Sequence, residues 1–300
     1  MDDFVKRVVR IKEKAEEPFD PGVEKATSPE ALAAQHVEIS GEVRTVRVGP
    51  PSGSTLYADC IRMRVIAALH KLSAKKYPLP TGQRLIFGMG DAFHKKAQNE
   101  PFLFGDRRCG WWECSACGAV LYFGFPPKRR CSKCGARAEA IRYKEHSLAL
   151  TDPLVIFGHP DLFLTSIHNP AALPRVSELK TMEGEMFEKL KGPLIQHVWQ
   201  VCTYVFGCKQ DKSLPIKIDG SIGYIVYMSK RPRKKNFPVK MFEVNTRANV
   251  MRRVREKLKA YTVGVRKGEL PEPLKVCVNK EFKNWEAKSC PAKRICMGAL

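Results

Sequence analysis

An α/β fold, with a mixed sheet flanked by helices, is what this 300-residue sequence predicts. Short apolar runs bounded by turn residues alternate with stretches of helical periodicity. Their order, helix, three strands, helix, strands and a basic helix, fits a sheet with helices packed on it.

Residues 1–53 read as an N-terminal extension: Pro18, Pro21 and Pro29 interrupt it, and GPPSGS at 49–54 reads as a linker. A first helix is expected over 56–77, with Ile61, Val65, Leu69 and Leu72 at helical spacing, Ser54 as N-cap and Pro78 closing it. A second runs over about 84–98 despite Gly88 and Gly90. Strands follow at 154–158 (LVIFG), 161–165 (DLFLT) and 175–180 (RVSELK). Helical sequence covers 185–205, interrupted at Gly192 and Pro193. Strands at 222–228 and 239–245 and a basic helix at 247–261 complete the order.

Lys and Arg number 52 against 31 Asp and Glu, a net charge of +21. An excess that large draws in polyanions, nucleic acid above all. No run of eighteen apolar residues marks a transmembrane helix, so no membrane partner is expected. The opening MDDFVKRVVRIKEKAEE has acids ahead of any apolar stretch and does not read as a secretion signal. Eleven cysteines are then expected in a reducing, cytoplasmic setting, binding metal or packing as small apolar groups.

GHPDLFL at 158–164 and VSELKTM at 176–182 carry the sharpest chemical signal. Side chains alternate along a strand, so Glu178 and Lys180 share one face. A neighbouring strand bearing Asp161 brings a second carboxylate to the same place. Two carboxylates suit Mg²⁺ or Mn²⁺, and phosphodiester hydrolysis uses such ions to neutralise phosphate and orient water. E-x-K alone also describes an ordinary surface hairpin. Here the pair sits among Val176, Leu179 and Met182, where charge is costly to bury.

GHPDLFL, SELKT and QHVWQVCTY in that order resemble the RecB-like branch of the PD-(D/E)XK nucleases, over roughly 57–108 and 141–300. The resemblance implies a restriction-endonuclease-like core in which Asp161, Glu178 and Lys180 are catalytic. It also implies that Gln200 and Tyr204 contact DNA or steady Lys180, and these two share a helix face at i and i+4. The histidine it expects on an earlier helix is His94 in GMGDAFHKKAQ, a metal ligand with Asp161 and Glu178. His159, beside Asp161, competes for that role.

CSACG at 114–118 and CSKCG at 131–135 are two C-x₂-C knuckles thirteen residues apart. Cys114, Cys117, Cys131 and Cys134 are the ligand set of a structural Zn²⁺. Residues 109–140 thus read as a zinc ribbon inserted into a nuclease domain of residues 54–108 and 141–300. Its Trp111, Trp112, Tyr122, Lys128, Arg129 and Arg130 either meet nucleic acid or pack the ribbon. Cys109 falls outside the pattern, and Cys202 and Cys208 are expected in the core.

The family resemblance extends to its iron–sulfur branch, which includes AddB and the CRISPR-associated exonucleases. It implies a [4Fe–4S] cluster on Cys60, Cys277, Cys290 and Cys296, stapling the ends of the domain. The sequence departs from the family at position 287, an alanine where a cysteine is usual, so Cys277 must supply the fourth thiolate.

Residues 230–259 hold twelve Lys and Arg against Glu243 and Glu256. Lys230, Arg231, Arg233, Lys234 and Lys235 are candidate phosphate contacts, although KRPRKK also has the form of a nuclear-localisation signal. The expectation is a metal-dependent deoxyribonuclease of a prokaryotic or phage-infected cell, an exonuclease on single-stranded ends by family resemblance. A separate helicase or recombination protein would supply any unwinding. A structure-specific or restriction-type endonuclease, or a non-catalytic DNA-binding module on the same fold, remain open alternatives.

Overall fold

The computed structural model describes residues 8–10, 43–45, 50–54, 56–57, 60–72, 76–78, 81–166, 169, 171–231, 238–246, 249–279, 281 and 290–298. Along them run β1 (Val8–Arg10), β2 (Val43–Thr45), α1 (Ile61–Leu69), β3 (Lys76–Pro78), α2 (Thr81–Asn99), α3 (Pro101–Phe104) and β4 (Arg108–Cys114). Next come β5 (Val120–Gly124), β6 (Ile141–Lys144), β7 (Leu148–Leu150), β8 (Ile156–Gly158), β9 (Leu162–Leu164) and β10 (Arg175–Met182). The chain continues through α4 (Gly184–Lys189), α5 (Ile195–Cys208), β11 (Ile222–Ser229), β12 (Val239–Asn245), α6 (Asn249–Lys267), α7 (Lys275–Asn279) and α8 (Lys293–Gly298). It divides into two compact units: Met1–Ile11, Ser52–Ala58 and Met89–Leu258 form one, and Lys12–Pro51, Asp59–Gly88 and Lys259–Leu300 the other.

The first unit is built on a mixed sheet in the order β1-β12-β11-β10-β9-β4-β5, with β6 beside β4. β10 pairs parallel to β11 and antiparallel to β9. Most side chains of both strands are buried, which suits the apolar IGYIVYMS of β11, whereas RVSELKTM carries five polar residues, Glu178 and Lys180 among them. On one face Ala97 and Phe93 of α2, Phe104 and Trp112 pack over Leu162, Leu164, Leu179 and Val226. On the other, α5 lies so close to β11 that a Cβ on Gly223 would meet Val201 Cγ1 at 2.3 Å. Glycine is what permits that approach. The helical sequence after β10 breaks between α4 and α5, at Gly192 and Pro193 as expected. Lys240 closes α4 by donating to the carbonyls of Phe187 and Leu190 at 2.6 and 2.8 Å.

In the second unit Ile66 of α1 packs with Ala292 and Cys296, flanked by Met63, Leu72, Leu270 and Ile295. β2 and β3 pair antiparallel.

Several elements differ from the sequence-based expectation. The first helix covers Ile61–Leu69 rather than 56–77, and its N-cap is Cys60 instead of Ser54. It stops because Lys71 turns into the left-handed region (φ 47°) and Lys76–Pro78 are drawn into a ladder with Val43–Thr45. The run at 154–158 gives β8, which pairs with β7 outside the main sheet. The N-terminal extension contributes β1, parallel to β12. Strand β4 joins ribbon to core, because it pairs with β5, β6 and β9 alike.

Candidate active site and cysteine clusters

β9 and β10 pair as Leu164↔Arg175, Phe163↔Val176 and Leu162↔Ser177. Continued by one residue, that register sets Asp161 opposite Glu178, and residues opposite one another in an antiparallel pair share a face. The ladder bond is replaced there by a side chain: Asp161 Oδ2 accepts the backbone N–H of Leu179 at 2.6 Å. Lys180, two residues beyond Glu178, donates to Glu178 Oε1. From α2, His94 Nδ1 stands 3.6 Å from Asp161 Oδ1. Residues far apart in the chain thus converge on one end of the β9–β10 pair.

The charges in this group are unevenly shared. Asp161 is buried, which alone would favour its neutral form, but His94, Lys180 and the Leu179 N–H outweigh burial and hold its pKa low. Glu178 is pushed well above the usual carboxylate range by burial and by Asp161, despite Lys180. Burial opposes the charge on Lys180, yet Glu178 and Asp161 keep its pKa raised. Glu178 is 1% exposed, and among the described residues its Oε2 finds no hydrogen-bond donor. A buried carboxylate oxygen aimed at nothing is costly, and a cation offsets that cost. The donor set, two carboxylate side chains and an imidazole, fits a hard divalent ion. His94, Asp161 and Glu178 do not all lie within 4.8 Å of one another. His94 and the Leu179 N–H hold Asp161, and Lys180 holds Glu178.

Gln200 and Tyr204 lie buried on the inner face of α5, with Gln200 Nε2 3.5 Å from the Tyr204 hydroxyl. Tyr204 borders the site, since burial first and then the charge of Glu178 push its phenol up. His159 is exposed, and it is His94 rather than His159 that faces the Asp161 carboxylate. Three further residues have no role assigned in the motifs read from the sequence. Gln98 Nε2 donates to both Asp161 O and Glu145 Oε1, each at 2.8 Å, and so ties a third carboxylate to the site. Its i+4 spacing from His94 is a usable signal, whereas Glu145 lies in no motif. His197, on α5, feels the charge of Lys180 of β10, and its spacing from Gln200 and Tyr204, i, i+3, i+7, already places it on their face.

In the ribbon, the Sγ atoms of Cys114, Cys117, Cys131 and Cys134 all lie within 4.8 Å of one another, a group able to hold a metal. Each knuckle closes through a glycine in the left-handed region, Gly118 (φ 70°) and Gly135 (φ 73°). Their N–H groups donate to Cys114 O and Cys131 O at 2.8 and 2.9 Å. Backbone N–H groups at Cys134 and Lys133 lower the pKa of Cys131 to about 7. Of the ribbon aromatics, Trp112 is buried with its Nε1–H on Gly124 O at 2.9 Å, and Trp111 donates to His146 Nδ1 at 3.2 Å. Both therefore pack the ribbon. Tyr122, Lys128, Arg129 and Arg130 remain exposed.

Cys60, Cys277, Cys290 and Cys296 belong to the second unit. Burial raises the pKa of Cys60, and the charges of Cys290, Cys277 and Cys296 raise it further, so the four thiols are electrostatic neighbours. They are spread more widely than the ribbon set, which alone among the described residues meets the 4.8 Å span. Arg62 Nε donates to Cys296 Sγ at 3.2 Å. Cys202 and Cys208 are buried on α5, as expected of core residues, and burial pushes their thiols up.

Of the basic track, Lys230 and Arg231 are described, and Arg231 is exposed while its aliphatic stem covers Gly184. Arg233, Lys234 and Lys235 lie outside the described residues. On α6, Arg253 and Lys257 stand over Trp199 at 5.6 and 5.1 Å, and Arg255 over Phe206 at 5.1 Å. Arg253 and Arg255 stay exposed and Lys257 is half-buried, each with its cation over a ring. No described helix is long and apolar enough to cross a membrane.

No family model matches the sequence, and no curated protein does. Among solved structures the chain is similar to SSO0001, with 18% identity over 90% of this chain and 92% of that one, at a TM-score of 0.34. A likeness that distant defines neither fold family nor function.

Proposed function

We propose that this protein is a metal-dependent deoxyribonuclease with a PD-(D/E)XK-type core. The observation that carries the reading is the buried Oε2 of Glu178, without a hydrogen-bond donor among the described residues, beside Asp161 and with Lys180 on the same strand face. Asp161 and Glu178, with His94 at the rim, would hold Mg²⁺ or Mn²⁺, which supplies neutralisation of phosphate and a more acidic water. Lys180 would orient that water and take part in its deprotonation; Gln200 and Tyr204 would brace the Glu178 side of the site. A non-catalytic binding module has no use for an ionisable trio buried at this cost. The net charge of +21 favours a polyanionic substrate. Family resemblance favours single-stranded ends, with unwinding left to a partner.

For the ribbon we assign zinc. A tetrahedron with Zn–S bonds of about 2.3 Å has edges of about 3.8 Å. Cys114 to Cys134 measures 3.7 Å and Cys117 to Cys131 measures 3.9 Å. The wider set, Cys60, Cys277, Cys290 and Cys296, suits a [4Fe–4S] cluster, whose thiolates sit on separate irons. The deciding experiment is cleavage of single-stranded, duplex and circular DNA with Mg²⁺ or Mn²⁺. Degradation of linear single strands supports the exonuclease reading. Cutting of circles would move the activity to the endonuclease class, and no cutting of any substrate with either ion would remove the nuclease reading.

A further inference from the structure

His197 has an arrangement that the carboxylate–lysine chemistry does not require. Its Nδ1 lies 2.8 Å from the hydroxyl of Tyr227. That hydroxyl already accepts the backbone N–H of Leu194 at 2.9 Å. Tyr227 is 0% exposed, so its own proton must be donated, and His197 Nδ1 is the acceptor in reach among the described residues. The imidazole is therefore the tautomer protonated at Nε2. Tyr227 also sits opposite Lys180 in the parallel β10–β11 register, which ties the ring to the strand bearing the site.

Resting on the nuclease reading, we propose that His197 is a substrate-binding residue whose Nε2–H donates to a non-bridging oxygen of the scissile phosphate. Burial, and then the charge of Lys180, lower its pKa to about 3, so the ring donates a hydrogen bond without carrying charge. A second cation beside Lys180 would compete with the metal; a neutral donor does not. The ring stays half-buried and Lys180 is 22% exposed, which leaves both within reach of a bound strand. A donor aimed at charge that grows during the reaction lowers the barrier more than it tightens binding.

Three variants separate this role from a structural one. His197→Asn keeps an acceptor where Nδ1 stands and satisfies Tyr227, but has no donor at the Nε2 position. His197→Gln places an amide N–H near Nε2. His197→Ala has neither. With a single-stranded, end-labelled oligonucleotide and Mg²⁺, the single-turnover rate at saturating protein should fall about 10²-fold in His197→Ala. The half-saturating concentration should change little. Gln should recover most of the loss and Asn almost none. In the wild-type protein, ¹⁵N spectra of the imidazole should show a neutral, Nε2-protonated ring down to pH 5, a pattern lost in Tyr227→Phe. Recovery by Asn equal to that by Gln, or an Nδ1-protonated ring, would overturn the proposal and leave the nuclease reading standing. A wild-type protein that cuts no DNA would overturn the nuclease reading, and with it this role.

Discussion

A Cβ on Gly158 would lie 2.5 Å from Cε1 of Tyr204. Gly53 approaches the same ring from elsewhere in the chain, its Cβ position 2.6 Å from the same atom. The tyrosine of Q-x-x-x-Y thus occupies the space that a side chain three residues before Asp161 would need. Two motifs well separated in the sequence are joined by one steric contact, which explains the glycine of G-x-x-D. Gly158→Ala should therefore push Tyr204 off the site, destabilise the protein by about 1–3 kcal/mol and slow cleavage. Urea unfolding checks the first and single-turnover kinetics the second; a wild-type midpoint would show that the ring moves freely.

Glu178→Ala and Lys180→Ala test the chemistry. Loss of Lys180 should lower the single-turnover rate by about 10²–10⁴-fold, the usual contribution of a proton-handling group. Loss of Glu178 should do at least as much, while DNA binding in Ca²⁺ is retained, since both residues face the site rather than the apolar core. Cleavage at the wild-type rate by either variant under saturating Mg²⁺ would mean the reaction happens elsewhere.

Much of this site is legible in the sequence because strand alternation is a strict rule. Glu178 and Lys180 have to share a face, and the Asp161 strand needs only to pair beside them. The two C-x₂-C knuckles are equally readable, since spacing alone fixes the turn. The first helix reads too long because Leu72 continues its apolar period beyond Lys71, where the backbone turns left-handed. A period in hydrophobicity cannot reveal that Lys76–Pro78 will find Val43–Thr45. His197 is readable in principle from its helix face. Glu145 is not, because only the path of the chain leaving the ribbon brings it to Gln98.

The two cysteine sets should separate by metal content. Protein purified without oxygen, with zinc and iron supplied, should hold about one zinc and four irons per chain, with the brown colour of thiolate–iron charge transfer. Cys114→Ser should lose zinc and keep iron; Cys290→Ser should lose iron and keep zinc. Two zincs and no iron in the wild-type protein would rule out the cluster.

His197 makes an acid-limb prediction with a definite sign. Its folded pKa, about 3, lies below the ordinary histidine value because burial and Lys180 oppose the cation. Below about pH 6.5 the unfolded chain takes up a proton that the folded ring refuses. The stability contribution is complete above about pH 6.5 and is lost as pH falls toward 3, by up to about 1.4 kcal/mol per unit. His197→Gln removes that titration. Urea midpoints between about pH 6.5 and 4.5 should fall less steeply in the variant than in the wild type. Parallel curves would show that the ring titrates normally.

The basic track concerns binding rather than chemistry. Arg231, Arg233, Lys234 and Lys235 follow directly on β11, the strand paired with the one that bears Glu178 and Lys180. Replacing all four with alanine takes away four cationic partners for phosphate. Each phosphate left without its cation should reduce the magnitude of d log K/d log[salt] by about 0.7 on single-stranded DNA, so by up to roughly 3 in all. Affinity at low salt should fall many-fold, while the single-turnover rate at saturating DNA stays near that of the wild type. The reason is that phosphate-binding cations place the strand, and the carboxylates hold the metal that acts on it. Arg231 also shields Gly184 with its side chain, so a single Arg231→Ala variant, followed by thermal unfolding, separates the packing effect from the charge effect. A salt slope unchanged in the fourfold variant would assign this run to the solvated surface. It would direct the search for the DNA path to Lys128, Arg129 and Arg130, which stand exposed on the ribbon.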